Sequence, residues 1–349
     1  MSDLDRKAIE AVDPEGMLAD VLDMPNQLRD ALWRVETAAL RPIDARDGLI
    51  VAGMGGSAIG ARLAAAALGD RVSRPLAAAR DYALPAWATP EVVVLCASYS
   101  GNTEETLACF DAAGALGAVR IALTTGGALA DAAREEDIPV IPLPAGLKPR
   151  AAVAYMMVSA LEVAALCGVG PSVRSEVDVA AAHAERLVAE WGPDAENGNL
   201  AKALARDLHN TVPQVAGAGL TTAIAYRWKC QFNENSKIPA FSHELPELDH
   251  NEILGWEGAK DLARFSAIFL DDCDLHPRVR QRISLTRALV EPVAAATHVV
   301  QSLGTHPVER VVSLVLLGDL VSVYLAVLRG VDPSRMEAIE RLKETLGKP

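Results

Sequence analysis

The chain has 349 residues, half of them hydrophobic, a net charge of −13 at pH 7 and only 4% aromatics. That length points to two domains, and the apolar content supplies cores large enough to set intrinsic disorder aside. The acidic balance argues against nucleic acid or an anionic membrane as a general partner, so an anionic ligand must be held by local features.

The first residues, MSDLDRKAIEAVDPEG, contain no apolar segment and do not read as a signal peptide. An acidic helical region follows over about 14–40, and strand-like and helical runs then alternate. GLIVAGM (48–54) precedes the helical SAIGARLAAAALGD, and EVVVLCA (91–97) precedes TEETLACFDAAGALG. VRIALTT (119–125), a short helical LADAAREED and IPVIPLPAG (138–146) come next. Residues 151–191 are Ala-rich and helical, with a break at GVGPS (168–172). The pattern restarts with VPQVAGAG (212–219), RFSAIFLDD (264–272) and THVVQSLG (297–304), each followed by a helical run. Such alternation implies parallel strands joined by helices.

RVVSLVLLGDLVSVYLAVLRG (310–330) is the most membrane-like stretch, but Gly318-Asp319 interrupts it. Neither apolar half approaches the ~20 residues of a span, so it reads as a buried core or interface helix. The last run, SRMEAIERLKETL (334–346), is a polar helix. Cys96, Cys109, Cys167, Cys230 and Cys273 show no CxxC spacing and read as thiols of a reducing cytoplasm. VAGMGGSAIGA (51–61) lines up with VAGAGLTTAIA (215–225), sharing V-A-G-x-G and a hydroxyl two residues after the second Gly. With the two alternations, that match favours two similarly folded α/β domains.

Two stretches carry chemistry. GMGGSAIG (53–60) lies at a strand-to-helix transition, where glycines let an anion approach backbone N–H groups. A dinucleotide site would need an acidic residue ending a second strand, whereas Asp70 ends a helix. SYSGNTEET (98–106) also lies at a strand end entering a helix. Asn102 or Thr103 would cap that helix, with Glu104 and Glu105 in its first turn. Capping leaves Ser98 and Ser100 unexplained. Ser57, Ser98, Ser100 and Thr103 could surround one compact oxyanion at the carboxyl edge of a parallel sheet. Hydroxyls and amides fit a phosphate in an acidic protein.

GMGGSAIG followed by SYSGNTEET resembles the sugar isomerase (SIS) domain, a phosphosugar-binding α/β fold. NENSKIPAFSHELPELDHNEILGW (233–256) resembles the bifunctional phosphoglucose/phosphomannose isomerases of archaea and bacteria, and the likeness covers about residues 20–346. By itself that stretch offers Glu234, Glu244, Glu247, Asp249, Glu252, His243 and His250. HExxH zinc binding fails because position 247 is Glu, and His243 reads as local structure. A carboxylate with a histidine can serve as an acid/base pair.

The resemblance implies an α/β fold of two tandem SIS-type domains, each a mostly parallel sheet flanked by helices. Its expected divisions are an N-terminal helical segment (1–40) and a first SIS domain with the phosphate-binding loops (41–165). A second SIS domain (190–333) and a C-terminal helix returning to the active site (334–349) complete the chain. It implies a metal-independent aldose–ketose isomerase without cofactor, acting on glucose 6-phosphate and/or mannose 6-phosphate to give fructose 6-phosphate. Such a reaction must open the ring, move a proton between C1 and C2, and stabilise an enediolate.

The implied roles are Glu234 as base and His250 as ring-opening group, supplied by the partner subunit of a homodimer. Arg150 would lie near the enediolate oxygen, and Lys343 would assist ring opening or positioning. Gly56, Ser57, Ser98, Ser100 and Thr103 would hold the phosphate. Two positions depart from the pattern: Ala61 stands where Gly is frequent, and Asp249 where Asn is common, an extra carboxylate expected to favour charged His250. The rival reading is a non-catalytic phosphosugar-binding regulator, although residues 1–40 are acidic and contain no basic DNA-reading helix.

Overall fold

The computed structural model describes residues 3–195 and 198–346. Residues 1–2 of the expected N-terminal segment, 196–197 of the second domain and 347–349 of the C-terminal helix lie outside the described residues. Three helices open the chain: α1 (Arg6–Val12), α2 (Met17–Leu22) and α3 (Met24–Thr37). The next elements are β1 (Leu49–Ala52), α4 (Gly55–Leu68), β2 (Leu76–Ala79), β3 (Val93–Ala97), α5 (Glu104–Leu116), β4 (Val119–Thr124), α6 (Gly127–Glu135) and β5 (Val140–Pro142). Then come α7 (Val153–Leu166), α8 (Arg174–Trp191), α9 (Leu200–Leu208), β6 (Val212–Gly217), α10 (Thr222–Glu234) and β7 (Phe241–Glu244). The chain finishes with α11 (Ala259–Leu262), β8 (Phe265–Asp271), α12 (Pro277–Val290), β9 (Ala296–Gln301), α13 (Pro307–Arg329) and α14 (Glu337–Leu346).

The chain divides into two compact units. The first comprises Asp23–Arg186 with Leu303–Ser313. Its sheet has the order β2-β1-β3-β4-β5, and all pairs are parallel. β1 and β3 are buried at every position. Strands covered on both faces read as unbroken apolar runs, which is why LIVA and VVLCA stand out in the sequence. Helix α4 packs closely on α7, and Gly60 permits the approach: a Cβ there would lie 2.4 Å from Met156 Cβ. The last glycine of GMGGSAIG therefore serves helix packing.

The second unit comprises the chain up to Leu22, Leu187–Ser302, and the chain from Leu314 onwards. Its sheet has the order β7-β6-β8-β9, again wholly parallel. β6 thus occupies the position in this sheet that β1 occupies in the other. The two V-A-G-x-G stretches leave equivalent strands, and the expected pair of α/β domains with parallel sheets is what the chain forms. Strands β2 and β7 and helix α9 had no counterpart in the elements read from the sequence.

The apolar run 310–330 forms a buried helix, as the core-helix reading expects. α13 runs without a break through Gly318-Asp319 for 23 residues. It is long and apolar enough to cross a membrane by composition, as is Pro149–Leu166, and 94% and 83% of the respective windows are buried within the protein. Gly318 and Asp319 are packing positions. A Cβ at Gly318 would meet Trp228 Nε1 at 2.2 Å, and Asp319 pairs with Arg227, both on α10.

Candidate active site

Adjacent parallel strands β1 and β3 send their following loops off the same carboxyl edge of the first sheet, where open α/β sheets take ligands. The first loop turns at once into α4, whose opening residue Gly55 has φ +52. Ser57 lies in the first turn of that helix and is buried. Backbone N–H groups at such a start carry no intrahelical partner and present partial positive charge to an anion.

The second loop is cross-braced. Ser98 Oγ lies 2.8 Å from Thr103 Oγ1 and accepts the Gly101 N–H at 3.0 Å. Asn102 Oδ1 accepts from Ala128 N–H at 3.0 Å, and no side chain caps α5. The capping expected of Asn102 or Thr103 is therefore absent, because both side chains are engaged in bracing loops. Glu104 and Glu105 do occupy the first turn of α5. Gly101 has φ +72, and a Cβ on it would fall 1.7 Å from the Gly126 carbonyl oxygen, so only glycine fits. Ser100 is exposed, its Oγ accepting the Asn102 N–H at 3.3 Å.

Arg150 comes to the same place. It lies in the short helical turn Pro149–Ala152 and is 3% exposed. A Cβ on Gly56 would meet the Pro149 carbonyl oxygen at 2.9 Å and Arg150 Cα at 3.4 Å. Gly56 is thus packed against Pro149 and Arg150 by a contact that needs a residue without a side chain. Tyr99, between the two serines, reaches further: its hydroxyl donates to Pro144 O at 2.8 Å and accepts from Leu147 N–H at 2.9 Å.

In the second unit Glu234 is the last residue of α10, half-buried. The helix end is fastened to α13. Asn235 Nδ2 donates to Ser322 Oγ at 2.9 Å and Ser236 Oγ to Ser322 O at 2.6 Å, all three residues being fully buried. Arg329 Nε donates to Ser236 O at 2.9 Å. Lys237, in the left-handed region at φ +54, folds its ammonium back to the Glu234 carbonyl and to Pro333 O. Buried polar groups that are all bonded hold one geometry, and here that geometry sets where the Glu234 carboxylate starts. One turn earlier, burial pushes the Cys230 thiol above its usual range, so it stays protonated.

A cavity of about 520 Å³ borders Glu234 and is lined by Lys237, Asp332, Arg335, Met336 and Ile339 among others. Ile339 belongs to α14, and Lys343 stands one turn further along the same helix, exposed. A larger cavity of about 830 Å³, lined by Arg6, Asp194, Lys202 and Arg206, includes none of the residues singled out from the sequence.

His250 ends the short helical turn Glu247–His250 and is exposed. Its neighbour Asp249 accepts from Thr286 Oγ1 at 2.7 Å and pairs with Arg282 Nη1 at 3.0 Å, both on α12. The extra carboxylate expected to favour charged His250 is therefore engaged by α12, where it anchors the turn. His243 Nδ1 lies 2.8 Å from Glu252 Oε2, a local contact.

Residues 197–346 match the family model described as the bacterial phospho-glucose isomerase C-terminal SIS domain. The chain is 37% identical over 336 residues to the bifunctional phosphoglucose/phosphomannose isomerase of Caldicellulosiruptor bescii, covering 95% of this chain and 99% of that one. It is 35% identical to the protein of the same name from Aquifex aeolicus, covering 86% and 91% respectively. The chain belongs to the bifunctional phosphoglucose/phosphomannose isomerase family. Its fold also resembles that of tagatose-6-phosphate ketose/aldose isomerase from Escherichia coli, with a TM-score of 0.68 at 15% identity over 91% of this chain and 94% of the other.

Within this family member the duplicated sheet edge has diverged. Thr221, the counterpart of Ser57 in the repeat, is fully buried; its hydroxyl accepts from Ala218 N–H at 2.8 Å and lies 3.0 Å from the Leu270 carbonyl. β8 ends at Asp271 and leads into Asp272, where β3 leads into Ser98 and Ser100. Asp271 is met by Arg280 and Gln301, and Asp272 by Ser302 and the Asp274 N–H. The second copy of the edge is a closed polar network ringed by carboxylates. Two groups of residues escaped the sequence reading: Tyr99, whose partners are remote in sequence, and Asn235, Ser236 and Lys237, which stood in NENSK beside Glu234 without an assigned role.

Proposed function

We propose that the chain is a metal-independent phosphosugar isomerase that interconverts glucose 6-phosphate and mannose 6-phosphate with fructose 6-phosphate. The observation that carries this reading is the identity with relatives of that name along nearly the whole chain, joined to a hydroxyl-lined cradle packed against a buried arginine. Gly56, Ser57, Ser98, Ser100 and Thr103 grip the phosphate, Ser57 and Ser100 by hydroxyl and the Ser98–Thr103 pair by keeping the loop in shape. Lys343 and His250 assist ring opening. Glu234 removes the C2 proton of the open-chain aldose and returns it at C1, while the proton on O2 passes to O1. Arg150 stabilises the negative charge that gathers on the enediolate oxygens. Glucose and mannose 6-phosphates differ only at C2, which is planar in that intermediate, so one base serves both.

The working unit in this reading is a homodimer in which His250 crosses to the partner's site. Leu254, Leu262, Leu285 and Leu289, each more than half exposed on the segments around the His250 turn and on α12, supply apolar surface for a second copy. The five free cysteines fit a cytoplasmic location.

The test is fructose 6-phosphate formation from each aldose by the purified protein in excess chelator. Turnover of both is expected, and Glu234→Gln should abolish it while sparing saturable phosphosugar binding. Binding without turnover in the parent protein would favour the regulator reading.

A further inference from the structure

We propose that Tyr99 is a positioning residue that couples the phosphate grip to Arg150. This deepens the reading above and rests on its assignment of Arg150 to the enediolate. Residues 143–148, which lead from β5 to Arg150, contain no helix or strand. That path includes Gly146 at φ +98. Such a segment has little to hold it except bonds to its neighbours, and backbone left unfixed carries conformational freedom that blurs the geometry of whatever follows it.

The Tyr99 hydroxyl supplies two such bonds at once. It donates to Pro144 O at 2.8 Å and accepts from Leu147 N–H at 2.9 Å, so donor and acceptor capacity are both used across 45 and 48 residues of sequence. Tyr99 is fixed in turn: its carbonyl accepts from the Thr125 N–H at 3.1 Å and from Thr125 Oγ1 at 2.7 Å. Its backbone joins Ser98 to Ser100, the two serines of the cradle. One side chain therefore ties the loop that grips phosphate to the loop that delivers the arginine. Ser98 and Ser100 read as ligand groups from sequence, and the tyrosine between them acts through the phenol, not on the substrate. Arg150 is 3% exposed, so its guanidinium has no solvent path along which to find its place; the backbone must bring it there.

The experiment is Tyr99→Phe, which keeps the ring and removes both hydrogen bonds. KM for fructose 6-phosphate should stay within about twofold, while kcat should fall about 10-fold to 100-fold, the scale of an ångström-sized misplacement of a group that acts in the transition state. Affinity for a phosphorylated aldonate that mimics the enediolate should fall by the same factor as kcat, with affinity for inorganic phosphate unchanged. Thr125→Val, which removes one bond to the Tyr99 carbonyl, should give the same pattern to a smaller degree and covers the case of an unstable Phe variant. On an Arg150→Ala background Tyr99→Phe should cost nothing further.

Full kcat in Tyr99→Phe would overturn the proposal, as would a loss additive with Arg150→Ala or a parallel loss of phosphate affinity. An inactive parent enzyme would overturn the isomerase reading itself and would be seen before any variant is made.

Discussion

Replacing Asp319 by alanine should cost about 3–5 kcal/mol of stability, the loss expected when one member of a buried ion pair is removed and the other stays. The structure supplies the terms. Arg227 Nε lies 3.0 Å from Asp319 Oδ1 and Nη2 2.5 Å from Oδ2, a two-point clasp between α10 and α13 with both side chains 2% exposed. Alanine would take the carboxylate away from a guanidinium that cannot lose its charge, in a region packed by Trp228 and Gly318. Asparagine keeps an acceptor without the charge and should fall between alanine and the parent, since charge-assisted bonds are about twice as strong as neutral ones. The double change Arg227→Met with Asp319→Leu fills the same space with apolar atoms and should recover most of the loss. Urea unfolding followed by tryptophan fluorescence reads this directly, because Trp228, whose Nε1–H donates to Leu314 O at 2.8 Å, sits beside the pair. An alanine variant within about 1 kcal/mol of the parent would refute the reasoning.

Three further outcomes are open to measurement. Ser100→Ala should weaken fructose 6-phosphate binding about 10-fold to 100-fold through one lost hydrogen bond to a charged group, and Ser100→Asp far more through repulsion; equal affinities of the two variants would place the phosphate elsewhere. If His250 acts across a dimer, inactive Glu234→Gln and His250→Gln proteins should regain about a quarter of parental activity after subunit exchange, because half the dimers are mixed and each has one intact site of two; no recovery would keep both residues in one subunit's site. Burial holds the His298 imidazole below its usual range, so the unfolded chain takes up a proton near pH 6.5 that the folded chain refuses. Stability should therefore decline as pH falls from about 6.5 towards the lowered value, and His298→Asn should flatten that slope in pH-dependent urea unfolding. An unchanged slope would mean that His298 is already free to protonate.

What the sequence revealed depended on how far apart the cooperating residues lie. β1, β3 and β8 were legible because strands buried on both faces write continuous apolar runs. β2, with the sequence LAAA, has no β-branched residue and is mostly half-buried, and β7, FSHE, is polar with both ends exposed. Each lies at the outer edge of its sheet, where pairing to one neighbour and not pattern decides that it is a strand. α13 was legible as a buried helix, but the role of Asp319 within it was not, because its counter-ion stands 92 residues earlier. The same rule governs the site. The serines of the proposed cradle are local to two short motifs, while the bonds of Tyr99 and the clasp around Asn235 and Ser236 join segments that only folding brings together.

The two sheet edges differ in how they would receive an anion in an acidic protein. A phosphate brings close to two negative charges, and each fixed carboxylate within about 4 Å opposes each of those charges by about 4 kcal/mol at the effective dielectric near a protein surface. The first edge avoids that cost: its loops offer hydroxyls, amide N–H groups and one buried arginine, and the glutamates of α5 begin only after Thr103. At the second edge the same topology places Asp271, Asp272 and Asp274, with the repeat's hydroxyl turned inward on Thr221. Restoring anion binding there would require removing carboxylates that now satisfy Arg280, Gln301 and Ser302, each of which would lose a partner. The network that stabilises the second edge thus also opposes a phosphate there, which favours the first edge as the place of the proposed cradle.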